Sequence, residues 1–116
     1  TEVRACQCGF CKRQGAATIS DPAGRAVIEM DAAHAGRYQF GTATATSLVC
    51  RRCGVYAGAI LEDGGLVWSI ANTRGLGMAE FEGRAATPMV YEHESGDQRI
   101  ARRKQRWTPT DLHVKT

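Results

Sequence analysis

Long apolar runs are absent from this sequence. No stretch approaches the roughly 18–20 consecutive apolar residues that span a bilayer, and the N-terminal TEVRACQCGF is polar and cysteine-rich where a secretory signal would be apolar. We therefore expect a cytoplasmic protein that does not associate with membranes. Internal repeats and low-complexity linkers are absent as well, so residues 1–116 are expected to form a single domain.

The sequence also has little excess charge of either sign. The formal net charge is +3, and much of the positive excess lies in one segment, QRIARRKQR. A charge this small does not favour nucleic acid as the leading partner. The 43% of hydrophobic residues against 23% of charged residues is ordinary for a folded chain and argues against disorder.

Short apolar segments separated by turn residues make up most of the chain. The turns DPAG (21–24) and EDGG (62–65) separate segments rich in β-forming residues, and the spacing of about 8 to 12 residues is typical of an all-β protein. One helix is predicted at about 96–107, because Ser95 and Gln98 have the spacing of a capping box. The sequence therefore predicts a mainly β fold with one helix near the C-terminus.

The five cysteines lie in two clusters. CQCGFC contains Cys6, Cys8 and Cys11, and CRRC contains Cys50 and Cys53. In a reducing compartment, an odd number of cysteines at CxCxxC and CxxC spacing indicates metal ligands or redox thiols rather than disulfides. Zinc is the predicted cofactor, because it binds thiolates tetrahedrally and a CxxC turn can direct two sulfurs toward one ion.

Three ligand arrangements agree with this spacing. In the first, the CxCxxC cluster holds one zinc with an open fourth position, as in catalytic sites, and the CxxC pair serves a different site. In the second, the CxxC pair and two thiols of the first cluster close a structural four-thiolate site, which is the commoner arrangement for two clusters in a small β domain. In the third, CQCGFC is a redox-active cluster, although no βαβ pattern surrounds it.

Three sequence blocks in a fixed order favour one known family. The blocks are CQCGFCKRQGA, YQFGTATATSLVCRRCGVYAGA and WSIANTRGL. Over residues 6–76 they resemble the glutathione-dependent formaldehyde-activating enzyme and centromere protein V family, and the basic tail ending in RWTP resembles bacterial members of the aldehyde-activating type. The resemblance implies a zinc-binding β-tent of short antiparallel strands with one C-terminal helix.

The resemblance also implies an activity and assigns the cysteines to two different zinc sites. The activity is that of a carbon–sulfur lyase on the adduct of formaldehyde and glutathione, so the expected partners are a small-molecule thiol and an aldehyde. Cys6, Cys8 and Cys11 would form the catalytic zinc site, and Cys50 and Cys53 would bind a structural zinc. Family members complete that second site with an upstream CxC, whereas five residues precede Cys6 here. A missing first hairpin would expose a sheet edge and favour a homodimer.

A binding module is the competing interpretation. In the predicted helix, positions i, i+3, i+4 and i+7 form one basic stripe: Arg99, Arg102, Arg103 and Arg106. Such a stripe can bind phosphates, and the resembling family includes a chromosome-associated branch, so the alternative function is a non-catalytic, zinc-stabilised module. The more common interpretation of such a stripe is a solvated face.

The remaining aromatic and polar candidates are interpreted as structural. Four aromatic residues fall on predicted strands and are expected in the core or on a sheet face: Tyr38, Phe40, Tyr56 and Trp68. The three histidines are expected at the surface. Asn72 is expected to end its strand in a turn.

Overall fold

The computed structural model describes residues 1–116 and confirms the predicted mainly β fold, with 40% of residues in strands and 17% in helices. In chain order the elements are β1 (Arg4–Cys6), α1 (Gly9–Gln14), β2 (Thr18–Ile19), β3 (Ala26–Asp31), β4 (Ala35–Tyr38), β5 (Thr46–Cys50), β6 (Tyr56–Asp63), β7 (Leu66–Asn72), a 3₁₀ turn (Ala79–Phe81), β8 (Thr87–Met89), α2 (Gly96–Arg106) and β9 (Thr108–Lys115). Neither α-helix is long and apolar enough to cross a membrane.

All nine strands belong to one sheet that branches at β7. The main path runs β4-β5-β6-β7-β2-β1-β8, and β9 joins β7 and carries β3 on its other side. The branch arises because the last residues of β7 pair with β2, whereas residues 67–69 pair with β9. Most pairings are antiparallel as predicted, but β1 with β8 and β3 with β9 are parallel. The predicted EDGG turn is confirmed, and Gly64 and Gly65 both have positive φ, as a tight hairpin requires.

The predicted C-terminal helix is confirmed as α2. The Ser95 Oγ accepts a hydrogen bond from the Gln98 N–H at 3.2 Å, and the Gln98 Oε1 accepts one from the Ser95 N–H at 2.8 Å. These reciprocal bonds are the predicted capping box. The chain continues after α2 into the long strand β9, and it contains a second, shorter helix, α1, within the cysteine cluster. The sequence patterns predict neither of these two elements.

The core is small and divided. One cluster of buried side chains attaches α2 to the sheet, because Trp107 and the half-buried Ile100 pack with Ala59 and Leu61. A second cluster lies under α1 and contains Tyr56 and the cysteines of CQCGFC. Only 17 of the 116 residues are buried, so the few buried polar contacts have a large share in fixing how the elements are placed.

Asn72 is one of these buried contacts. The side chain is 1% exposed. Its Oδ1 accepts a hydrogen bond from the Ala17 N–H at 3.1 Å, and its Nδ2 donates one to the Tyr56 carbonyl at 2.8 Å. The Ala17 carbonyl in turn accepts from both the N–H and the hydroxyl of Thr73. Asn72 is therefore more than the strand end that the sequence predicts, because it fastens the segment after α1 to both β6 and β7.

Replacing Asn72 by alanine should destabilise the protein strongly. Asn72→Ala leaves the buried Ala17 N–H and Tyr56 carbonyl without partners, so the free energy of unfolding should fall by about 2–4 kcal/mol. Urea unfolding followed by circular dichroism measures this change. The control is Gln105→Ala, an exposed position on α2, where a change within about 0.5 kcal/mol is expected. Equal effects of the two substitutions would contradict this account.

Candidate metal centre

Three thiols meet where β1 passes into α1. Cys6 is the last residue of β1, Cys8 is the N-cap of α1 and Cys11 lies in its first turn. Their Sγ atoms all lie within 4.8 Å of one another. The local fold explains the proximity, because an N-cap side chain reaches the third residue of its helix, and the Cys8 Sγ accepts a hydrogen bond from the Cys11 N–H at 3.4 Å. Gly15 ends the helix with a left-handed φ of 60°.

These three sulfurs fit a metal ion. A tetrahedral zinc with Zn–S distances of about 2.3 Å would place its sulfur ligands about 3.8 Å apart, which agrees with the spread of the three Sγ atoms. Thiolates also suit other soft ions, such as Cu(I) and the iron of iron–sulfur clusters, so the donor set alone leaves the identity of the metal open. No other group of three or more Cys, His, Asp or Glu side chains comes together in this way.

Cys50 and Cys53 lie outside this group. Cys50 ends β5, and Cys53 is exposed in the turn that follows. The turn is closed by hydrogen bonds from the Cys50 N–H to the Val55 carbonyl and from the Gly54 N–H to the Cys50 carbonyl. The backbone N–H groups of Cys53 and Arg52, together with the Cys53 thiol, lower the pKa of Cys50. The structure therefore brings these two cysteines together with each other and not with CQCGFC.

The crowding of thiols separates the acidities of Cys6 and Cys11. The Cys11 thiol donates a hydrogen bond to the Cys6 sulfur, which lowers the pKa of Cys6 to about 5 despite its partial burial. The same hydrogen bond, with burial, raises the pKa of Cys11. Of these two thiols, Cys6 is thus the first to ionise.

The sulfur cluster opens onto a cleft of about 480 Å³ between α1 and α2. Four rings form one wall, where the Phe10 ring centroid lies 5.5 Å from Tyr38, 5.2 Å from Phe40 and 5.0 Å from Tyr56. Tyr38 and Phe40 are 49% and 40% exposed, so neither is a core residue; of the two predicted placements, the sheet face applies to Tyr38 at the end of β4, and Phe40 lies just beyond that strand. The reason is topological: β4 is an edge strand, and the side chains at its end contact Phe10 of α1 without being enclosed by it.

Tyr56 is the one buried ring of this wall. Burial is the main cause that raises its pKa, with nearby cysteine charges adding to it, so the phenol keeps its proton. Its main-chain carbonyl accepts the bond from Asn72, whereas its hydroxyl makes no hydrogen bond within the protein. The side chain lines the cleft and packs beside the cysteines.

The basic stripe of α2 forms the opposite side of the cleft. Arg99, Arg102 and Arg103 are half-buried and line it, and only Arg106 is exposed outside it. The expectation of a solvated face is therefore wrong for three of the four arginines. The helical periodicity shows that the arginines share one face of α2, but it does not show which part of the protein that face contacts. The packing of Ile100 and Trp107 against the sheet decides the contact.

Other candidates lie at the surface. All three histidines are exposed, which confirms the sequence-based prediction. Lys12, Arg51 and Arg52, the basic residues next to the cysteines in sequence, are exposed as well and lie outside the cleft, whereas Arg4 and Arg13 line it.

Comparison with known proteins names no relative. No protein-family model matches this chain, and no curated protein matches it. Among solved structures, a crystal structure of a Rhodobacter sphaeroides protein from structural genomics is similar, with 26% sequence identity over 78% of this chain and 82% of that one, and a TM-score of 0.48.

Substitution of Cys8 should separate metal binding from folding. Serine is a favoured N-cap, so Cys8→Ser should preserve α1 while it removes one thiolate ligand. Loss of a group that merely hydrogen-bonds to a metal ligand costs about 10–100-fold in metal affinity, so loss of a ligand itself should cost at least about 100-fold. Titration with Co²⁺, followed by sulfur-to-cobalt charge-transfer absorption, measures the affinity, and circular dichroism checks the fold.

The matched control for this titration is Cys53→Ser. It removes an exposed thiol that lies outside the group of three, so the cobalt spectrum and affinity of the CQCGFC site should stay those of the unmodified protein. A similar loss of affinity in both variants would mean that CRRC belongs to the same site.

Proposed function

We propose that this chain is a zinc-dependent protein of the carbon–sulfur lyase type that acts on adducts of a small-molecule thiol with an aldehyde, such as glutathione with formaldehyde. The observation that carries the proposal is that three sulfurs, not four, meet beside a cleft. Structural zinc sites fill all four positions with protein ligands, whereas catalytic sites keep one for water or substrate. The resemblance of CQCGFC and the later blocks to the formaldehyde-activating family supports the choice of substrate.

Cys6, Cys8 and Cys11 would hold the ion in this proposal. A bound zinc would supply one chemical effect, which is to lower the proton affinity of a thiol at its open position and so favour the nucleophilic thiolate. Three thiolates give their ion a net charge of about −1, which suits thiol exchange better than the activation of water.

The other cleft residues would position the carbon and oxygen atoms of the adduct. The rings of Phe10 and Phe40 offer an apolar surface that would contact the carbon atoms of the adduct and keep water away from them. When the thiol adds to the aldehyde, a sulfur–carbon bond forms, the sulfur loses its proton and the carbonyl oxygen gains one. Tyr56 is the donor to that oxygen, because its side chain lines the cleft and its hydroxyl makes no hydrogen bond within the protein. Cleavage of the adduct is the same step in reverse.

The alternative, a non-catalytic binding module, receives less support from the geometry. Phosphate binding along a nucleic acid needs a basic surface that faces outward. Arg99, Arg102 and Arg103 instead line the cleft, and the exposed Lys104 contacts Asp63 at 2.5 Å. Of the predicted stripe, Arg106 alone is left on the outer surface of α2.

Turnover should depend on the CxCxxC cysteines and not on CRRC. The zinc-loaded protein is expected to accelerate the interconversion of formaldehyde, glutathione and their adduct, which NMR exchange spectroscopy detects directly. Cys8→Ser should abolish the acceleration, whereas Cys53→Ser should retain it. Full acceleration by a folded Cys8→Ser protein would refute the proposed function.

Loss of the Tyr56 hydroxyl should slow turnover without removing the metal. Tyr56→Phe keeps the buried ring but withdraws the proton donor, so kcat should fall by about 100-fold while KM changes little. The same NMR assay gives both constants, and zinc analysis and the unfolding midpoint serve as controls. An unchanged kcat at full zinc content would remove Tyr56 from the mechanism.

A further inference from the structure

The cleft carries more positive charge than the protein itself neutralises. Besides the three arginines of α2, Arg4 and Arg13 line it, and Glu92 is the only acidic residue of the lining. Glu94 does not line the cleft, but its carboxylate forms an ion pair with Arg102. A divalent metal ion bound by the three thiolates would have a net charge of about −1 together with them. That charge is too small to neutralise the arginines, so the cleft would stay positive.

Two of the guanidinium groups are fixed in place yet keep free donors. The Arg99 Nη2 donates to the Tyr91 carbonyl at 3.0 Å, and its Nε donates to the Glu94 carbonyl at 3.3 Å. The Arg102 Nε donates to both Glu94 carboxylate oxygens, and its guanidinium carbon lies 3.6 Å from the Tyr91 ring centroid. The Nη1 of Arg99 and both Nη atoms of Arg102 bond to nothing within the protein. Such fixed donors bind an acceptor at a reduced entropy cost.

Arg103 is a half-buried cation without an ion pair. Its Nη1 donates to the Thr44 hydroxyl at 2.6 Å, but its buried Nε has no hydrogen-bond partner. Burial, together with the charges of Arg102 and Arg99, lowers the pKa of Arg103 to about 10. A partly buried charge without an ion-pair partner is unfavourable, and an anion that enters the cleft would relieve this penalty.

We propose that Arg99, Arg102 and Arg103 form a carboxylate-binding subsite, so that the ligand of the cleft is an acidic thiol whose carboxylate meets α2 and whose sulfur faces the cysteines. Guanidinium groups bind carboxylates through paired, charge-assisted hydrogen bonds, which neutral ligands cannot make. The sulfur end of this assignment rests on the proposed function, whereas the carboxylate end rests on the arginines alone.

A matched pair of thiols tests the subsite in the zinc-loaded protein. The probes are 3-mercaptopropionate and 3-mercapto-1-propanol, which have the same chain and differ in the charge at one end. Isothermal titration should show the acid binding about 10–100-fold more tightly than the alcohol. Arg103→Gln and Arg99→Gln should each reduce this preference by about tenfold through the affinity for the acid, with the alcohol unaffected. Arg106→Gln, exposed on the same helix, is the control and should keep the full preference.

A thiol-free probe separates this subsite from the proposed function. Propionate added to the zinc-free protein should shift the NMR signals of the Arg99 and Arg103 Nε–H groups, and this would hold even if no thiol–aldehyde turnover were found. Equal affinity for the acid and the alcohol, with turnover intact, would overturn the subsite alone. Inorganic phosphate that displaces propionate at lower concentration would overturn the assignment to a carboxylate.

Discussion

The mutual repulsion of three crowded sulfurs is the constraint on which the rest of this site depends. With Sγ atoms within 4.8 Å of one another, Cys6, Cys8 and Cys11 cannot all become thiolates unless positive charge compensates them. The hydrogen bond from the Cys11 thiol to the Cys6 sulfur is one compensation, and it is the largest cause of the opposite pKa shifts of these two thiols. A divalent ion bound between the sulfurs would compensate the negative charge more strongly, because each thiolate would then be attracted to the ion as its ligand. The arginines of α2 add a second layer of positive charge at the other side of the cleft.

The sheet brings distant parts of the chain together around these sulfurs. The N-terminal strand β1 lies between β2 and β8, which holds Cys6 next to the residues that lead into α2. From the other direction, Trp107 packs α2 against β6 and thereby turns the arginines toward the cysteines. Asn72 then fixes the segment that follows α1 through its hydrogen bond with the Ala17 N–H. The site is thus made from both ends of the chain, and neither end carries it alone.

The sequence predicts the features of this protein that depend on local spacing. CxCxxC brings its thiols together within one strand end and one helical turn, and the capping box at Ser95 needs only four residues, so both were predictable. The role of Asn72 was not, because its partner Ala17 lies 55 positions away and no periodicity marks that distance. The arginine stripe is intermediate: helical spacing identifies the shared face, but the packing of Trp107 decides where that face points. Parallel pairing of β3 with β9 is missed for the same reason, since nothing within either segment indicates a partner so distant in the chain.

The sulfur count around the metal tests the central claim most directly. X-ray absorption spectroscopy at the zinc edge of the purified protein gives the number of sulfur ligands at about 2.3 Å. Our account predicts three sulfurs and one lighter donor, with a fourth sulfur appearing when a small thiol is added. Four sulfurs in the absence of added thiol would contradict it, because the site would then be closed by protein ligands and would have no position for a substrate.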